Sequence, residues 1–176
     1  MSRVKLATVW LDGCSGCHMS FFDMDERILE IAERVEVVYS PLVDPKEFPE
    51  GVDVTIVEGG VSSEEDLHKI RMVRGRTKLL VALGDCAVTS NVPGMRNTFK
   101  VDEVTKRAYL ENADLRQQVP SEVVPALLPR TRPVHEVVPV DVFLPGCPPP
   151  ADVIYGALVA LLDGTTPDLT ATRFGR

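Results

Sequence analysis

Four cysteines are placed as if to meet: Cys14 and Cys17 in Leu11-Asp12-Gly13-Cys14-Ser15-Gly16-Cys17, Cys86 in Gly84-Asp85-Cys86, and Cys147 in Leu144-Pro145-Gly146-Cys147-Pro148-Pro149-Pro150. They are all the cysteine the chain has, so none is left over. Each site follows a short apolar run of the kind that forms a strand, and glycine stands beside each (Gly13, Gly16, Gly84, Gly146). Four thiolates on three separate turns converge only by folding, and four thiolates are the ligand set of a cubane [4Fe-4S] cluster. Glycine lets backbone close on a bulky inorganic group and aim N–H groups at its sulfides. The prolines after Cys147 remove competing donors and stiffen that turn.

Other chemistries use the same residue type. A buried free cysteine is ordinary core packing, but that is a poor joint account of four cysteines at strand ends. C-x-x-C between a strand and a helix is also the thioredoxin-like dithiol, which leaves Cys86 and Cys147 without a task. Structural zinc takes four thiolates too, though usually as two close pairs from small loops. The cluster ranks first, zinc second and the dithiol third.

Groups near the cysteines come next. His18 adjoins a ligand and is a candidate to tune the cluster; the plainer reading is a helix cap or a solvent-facing ring. Glu58 and Asp85 end strands on the same sheet edge, where a carboxylate can relay protons or, more commonly, hold a loop by hydrogen bonds. Gly146 completes the set of residues expected around the cluster. His68 and His135 read as surface residues. Gly59-Gly60 with Ser62-Ser63 before a helix is a weak phosphate cradle, because a capping box of Ser62 with Glu65 already explains the serines. Neither a dinucleotide fingerprint nor a P-loop is present.

The elements that must position these residues follow from the apolar pattern. Residues 4–11, 35–39, 52–57, 78–83 and 140–144 read as strands, most of them short β-branched runs of the buried, parallel kind. Helical spacing marks 20–35, with Asp23, Asp25 and Glu26 in its first turns, then 62–75 and 151–162. Pro150 suits the first helix position and Gly164 the cap. Alternating strands and helices predict an α/β doubly wound, mostly parallel five-stranded sheet with right-handed crossovers. Ligands in such sheets gather at the carboxyl ends of the strands, where all four cysteines lie. Nine of the fourteen prolines fall in 119–150, so 118–139 is expected to be an extended, irregular insertion. Its Val123, Val124, Leu127 and Leu128 lack a core pattern and read as surface for a permanent partner.

Bulk properties bound the function. A length of 176 residues with 44% apolar content suits one folded domain over 1–176. A net charge of −7 without basic runs argues against nucleic acid. The longest apolar stretch, 153–162, is too short to span a bilayer, so no membrane insertion is expected. The first residues do not read as a secretory signal, which makes the cytoplasm the expected location. Thiols stay reduced there, and cysteines point to metal or redox chemistry.

C-x-x-C after the first strand, G-x-C after the fourth and L-P-G-C-P-P before the last helix resemble the small, electron-transferring subunit of nickel–iron hydrogenases. The cluster subunit of respiratory complex I is related to it. The likeness runs over 4–162. It implies a flavodoxin-like fold and a proximal [4Fe-4S] cluster on Cys14, Cys17, Cys86 and Cys147. Complex I carries two adjacent cysteines in its first motif, whereas Ser15-Gly16 separate Cys14 from Cys17 here. The chain has no spare cysteine, and it is expected to lack the twin-arginine signal and further domain of periplasmic small subunits. It is therefore similar to the small subunit of bidirectional NAD-linked hydrogenases, found in the cytoplasm. That resemblance implies a nickel–iron centre in a large partner subunit, and diaphorase subunits carrying flavin and further iron–sulfur clusters. The chain itself would conduct electrons without catalysis of its own. FMN stays open but unsupported, because Cys14 and Cys17 occupy the usual phosphate-binding turn. The alternative is a stand-alone flavodoxin-like redox or zinc-stabilised interaction protein.

Overall fold

A computed structural model describes residues 3–170 and 172–175. In chain order the elements are β1 (Val4–Trp10), α1 (Gly16–Phe22), α2 (Arg27–Arg34), β2 (Val35–Tyr39), β3 (Val52–Glu58), β4 (Val61–Ser63), α3 (Glu64–Arg76) and β5 (Thr77–Leu83). There follow α4 (Gly84–Thr89), α5 (Asn91–Gly94), α6 (Val101–Lys106), β6 (Leu127–Arg132), β7 (Val142–Leu144) and α7 (Ala151–Leu162).

Five strands form one sheet in the order β2-β1-β3-β5-β7. Every neighbouring pair is parallel, so the sheet is wholly rather than mostly parallel. Parallel strands need crossovers, and the helices supply them on both faces. One face packs Ile70 and Val73 of α3 and Ala87 and Val88 of α4 against Val9, Val57 and Leu80. The other packs Ile31 of α2 and Ile154 and Leu158 of α7 against Leu6, Ile56 and Leu83. Each such buried Leu or Ile contributes about 1.5–3 kcal/mol relative to exposure. The β-branched runs read from the sequence are therefore strands because both of their faces are covered. No helix among the described residues is long and apolar enough to cross a membrane.

Several expectations shift. The helix expected over 20–35 is two helices, parted at Asp23–Glu26, with Asp25 in the left-handed region at φ 52°. Asp23, Asp25 and Glu26 therefore lie at the break and not in a first turn. Met24 turns inward there and is 1% exposed. Because Phe21, Met24, Ile28 and Ile31 keep helical spacing across the break, periodicity does not reveal it. The capping box lies one residue later than Ser62 with Glu65. Ser63 Oγ accepts from Asp66 N at 3.1 Å, and Ser63 N donates to Asp66 Oδ2 at 3.0 Å. Asp66 Oδ2 also takes the Ser62 N–H and both serine hydroxyls, so a side-chain carboxylate fills the supposed phosphate cradle. Gly75 sits inside α3 instead of ending it.

The proline-rich insertion is less irregular than expected. Residues Leu127–Arg132 form β6, antiparallel to β4, with Val61 opposite Arg132 and Ser63 opposite Leu127. A two-stranded ribbon consists of edges, and an edge tolerates Pro129. Arg96 Nη2 donates to Ser62 O and Leu128 O, both at 3.0 Å, and Asn97 exchanges two 2.8 Å hydrogen bonds with Thr131. Leu128 is buried in the core, contrary to the surface reading, while Val123, Val124 and Leu127 are exposed. At α7, Pro150 stands one residue before the first helical position, which Ala151 takes, while Gly164 at φ 70° follows the last turn, as read.

The position of the cap gives a stability test. Ser63→Ala is expected to cost about 1 kcal/mol, the usual worth of an N-cap side chain. Ser62→Ala should cost clearly less. Urea unfolding of the two variants checks the order, and a larger loss at Ser62 would contradict the observed register.

Candidate metal centre

Three strand ends deliver the cysteines to one edge of the sheet. Cys14 and Cys17 follow β1, Cys86 lies in the first turn of α4 after β5, and Cys147 follows β7. β3 lies between β1 and β5 and ends on Glu58. All four thiols are free. Cys17 is buried, Cys86 is half-buried, and Cys14 and Cys147 are exposed, so the group runs from the interior to the surface.

The thiols feel one another. Burial pushes the Cys17 thiol well above its ordinary range; the negative charge of Glu58 adds to this, followed by Cys86, Cys14 and Cys147. Cys86 is also raised, chiefly by burial, with Cys147, Cys14 and Glu58 adding to it and a backbone hydrogen bond from Val92 opposing it. Four thiolates held this close repel unless a cation sits among them. Among the described residues, no group of three or more His, Cys, Asp or Glu side chains is closed around a single metal ion.

Local structure explains the placement. Ser15, at φ 60°, turns the chain so that α1 starts at Gly16 and carries Cys17 inward. Gly84 is at φ 80°, and a Cβ built on it would stand 2.2 Å from Cys17 Sγ. Only glycine permits both that backbone and that approach. Donors are aimed at two of the sulfurs: Gly16 N–H reaches Cys14 Sγ at 3.4 Å, and Asn91 Nδ2 reaches Cys147 Sγ at 3.5 Å. Such donors favour a charged or metal-bound sulfur. The peptide bond between Cys147 and Pro148 is cis.

The neighbouring candidates fall into place as holders of these turns. Glu58 is 1% exposed. Its carboxylate accepts the N–H of Cys17 at 3.4 Å and that of His18 at 2.9 Å, at the start of α1. His18 is buried, neither capping a helix nor facing solvent, and its Nδ1 bonds Glu58 Oε2. Its Nε2 is buried without a protein partner among the described residues. Asp85 Oδ1 accepts the Gly146 N–H at 2.7 Å, which gives both residues the loop-holding part. Sequence reasoning missed Ser20, whose hydroxyl donates to Pro149 O at 2.5 Å and ties α1 to the Cys147 turn. It also missed Asn91; nothing local marks either, because both act across the fold. His68 and His135 are exposed, as read.

The residues present fit an iron–sulfur group: four free thiols, backbone and amide N–H groups on two of them, and a glycine gap beside the deepest. Fold and site thus define a wholly parallel, doubly wound α/β protein with a four-cysteine edge. Residues 14–161 match the family described as NADH ubiquinone oxidoreductase, 20 Kd subunit, and the chain belongs to that family. Similarity is also clear to NAD-reducing hydrogenase HoxS subunit delta of Cupriavidus necator, at 39% identity over 97% of this chain and 84% of that one. A chain of the F420-non-reducing hydrogenase vhu of Methanocaldococcus jannaschii is 40% identical over 94% of this chain; the chain spans only 58% of that relative's length. Among solved structures, a chain of the NAD+-reducing [NiFe]-hydrogenase in the H2-reduced state superposes with a TM-score of 0.93, at 39% identity and 97% coverage of both. The [NiFeSe] hydrogenase of Desulfovibrio vulgaris Hildenborough shares the fold, with a TM-score of 0.61 at 17% identity over 93% of this chain and 60% of that one.

Burial of the deepest thiol has a measurable consequence. A raised thiol pKa leaves less thiolate at a given pH, so alkylation slows. In metal-free protein at pH 8, exposed Cys14 and Cys147 should label first and Cys17 last. The Cys17 rate should still climb with pH above about 8.5, the ordinary thiol value. Mass spectrometry of iodoacetamide-treated protein reads this directly, and equal labelling of Cys17 and Cys14 would contradict the buried placement.

Proposed function

We propose that this chain is the electron-transfer subunit of a cytoplasmic nickel–iron hydrogenase, with residues 1–176 acting as one iron–sulfur domain. Cys14, Cys17, Cys86 and Cys147 hold one [4Fe-4S] cluster beside the nickel–iron centre of a large partner subunit. Electrons pass through this chain between that centre and an NAD-linked diaphorase module. The observation that carries the proposal is the gathering of four free thiols from three strand ends within one another's electrostatic reach. Kinship with the HoxS delta subunit supports the NAD-linked assignment.

Such a cluster, when bound, accepts and returns one electron at a time. The chain's own residues do the rest. Burial of Cys17 keeps water from the inner side of the site, while Cys14 and Cys147 face outward. Gly16 N–H and Asn91 Nδ2 stabilise negative charge on the outer sulfurs. Glu58 holds the first turn and Asp85 the other two. No general acid, base or nucleophile is required of the chain, because hydrogen is split elsewhere. Exposed Trp10 and Met19 flank the Cys14 turn, where an obligate subunit would meet its partner.

The test is the composition and activity of the native complex. Purified without oxygen, it should carry about four irons on this chain, the content of one cubane cluster. Cys147→Ala should remove that iron and abolish NAD reduction by hydrogen, while NADH oxidation with an artificial acceptor continues. One zinc and no iron would replace the cluster reading with a zinc-stabilised interaction protein. Hydrogen-driven NAD reduction that survives loss of this chain would overturn the electron-transfer role.

A further inference from the structure

Asp85 stands between two of the sulfur-bearing turns. It is 4% exposed. Its backbone N–H donates to Gly146 O at 2.8 Å, and its Oδ1 accepts the Gly146 N–H at 2.7 Å. The residue before Cys86 and the residue before Cys147 are therefore joined by two reciprocal hydrogen bonds. Its other oxygen, Oδ2, accepts the N–H of Gly175 at 2.7 Å, from a segment 90 residues away in sequence. Both side-chain partners are backbone N–H groups, which carry no charge to cancel that of the carboxylate. Only a group with two acceptor oxygens and no donor serves both. An asparagine could accept from Gly146 but would turn an N–H towards that of Gly175.

We propose that Asp85 is a positioning residue that locks the Cys86 turn to the Cys147 turn, anchors the Gly175 segment against them, and thereby sets the reduction potential of the centre. The inference rests on the cluster reading of the preceding section. Cluster potentials depend on net charge, hydrogen bonding to the sulfurs and solvent exposure. A fixed buried carboxylate beside two ligand turns acts on the first by favouring the oxidised state. Through the lock it acts on the second, because Asn91 reaches Cys147 Sγ only while that turn keeps its place.

Asp85→Asn and Asp85→Ala in the whole complex test this. The readouts are iron per chain, a redox titration followed by electron paramagnetic resonance, and hydrogen exchange at the Gly146 and Gly175 amides. Asp85→Asn should keep its iron but titrate at a more positive potential with an altered spectrum. Gly175 exchange should accelerate in it while Gly146 stays slow. Asp85→Ala should release both amides, each by about tenfold or more, as expected for a lost hydrogen bond to a charged group. An unchanged potential and spectrum in fully loaded Asp85→Asn would overturn the proposal, even if Asp85→Ala fails to assemble. Slow Gly146 exchange in a folded Asp85→Ala would overturn the lock. Iron missing from the unsubstituted complex would instead sink the cluster reading and the potential with it, while the exchange pattern would still judge the lock.

Discussion

Two buried carboxylates hold the sulfur site together. The sulfurs are not bonded to one another, so the turns that carry them must be fixed from behind. Glu58 fixes the start of α1 through the N–H groups of Cys17 and His18, and Asp85 fixes the turn before Cys147 through Gly146. A buried carboxylate without partners is costly, but one accepting several N–H groups makes strong charge-assisted hydrogen bonds. Sheet order makes this arrangement economical. The carboxylates come from the ends of β3 and β5, inside the set β1-β3-β5-β7, and they reach outward to the turns after β1 and β7. The end of β5 carries both a sulfur, on Cys86, and an anchor, Asp85, so moving it would disturb its own turn and the turn before Cys147 together.

The same arrangement sets the electrostatics. Burial and neighbouring negative charge work together to keep Cys17 protonated in the metal-free protein. A metal centre bound there would have to displace a proton from the Cys17 thiol and supply the cation that four crowded sulfurs lack. The outer sulfurs sit at the surface with N–H donors already aimed at them. Such a centre would be enclosed on its inner side, at Cys17, and reachable from outside at Cys14 and Cys147. The face of the sheet built around Ile70 and Leu80, with β4, β6, α3 and α4, holds β3 and β5 in register and seats the helix whose first turn carries Cys86.

The part legible in the sequence was the part governed by local pattern. Short β-branched runs ended by Gly13, Gly59 or Gly84 marked strands, because a strand covered on both faces must be apolar throughout. The motif spacing placed the four cysteines at strand ends, and the parallel sheet then brought those ends to one edge. Patterns that satisfy two structures at once were not legible. Ser62-Ser63-Glu64-Glu65-Asp66 offers two capping registers, and pairing of β4 with β6 selects the later one. Apolar spacing over 20–35 continues through the break at Asp23–Glu26, where Asp25 takes the left-handed region and Met24 turns into the core.

Sequence alone determined the strand-end placing of the four cysteines, the α/β class and the family likeness, since residue type, spacing and short-range periodicity are properties of the chain itself. Tertiary structure decided what each surrounding residue does. His18 looked like a surface or capping residue and is buried against Glu58. Ser20 and Asn91 carried no motif, yet they touch the Cys147 turn from 129 and 56 residues away. Leu128 looked like exposed surface and lies in the core. The physical reason is common to all of them. A hydrogen bond or a buried contact between distant segments depends on where the sheet places both ends, and no local pattern encodes that distance.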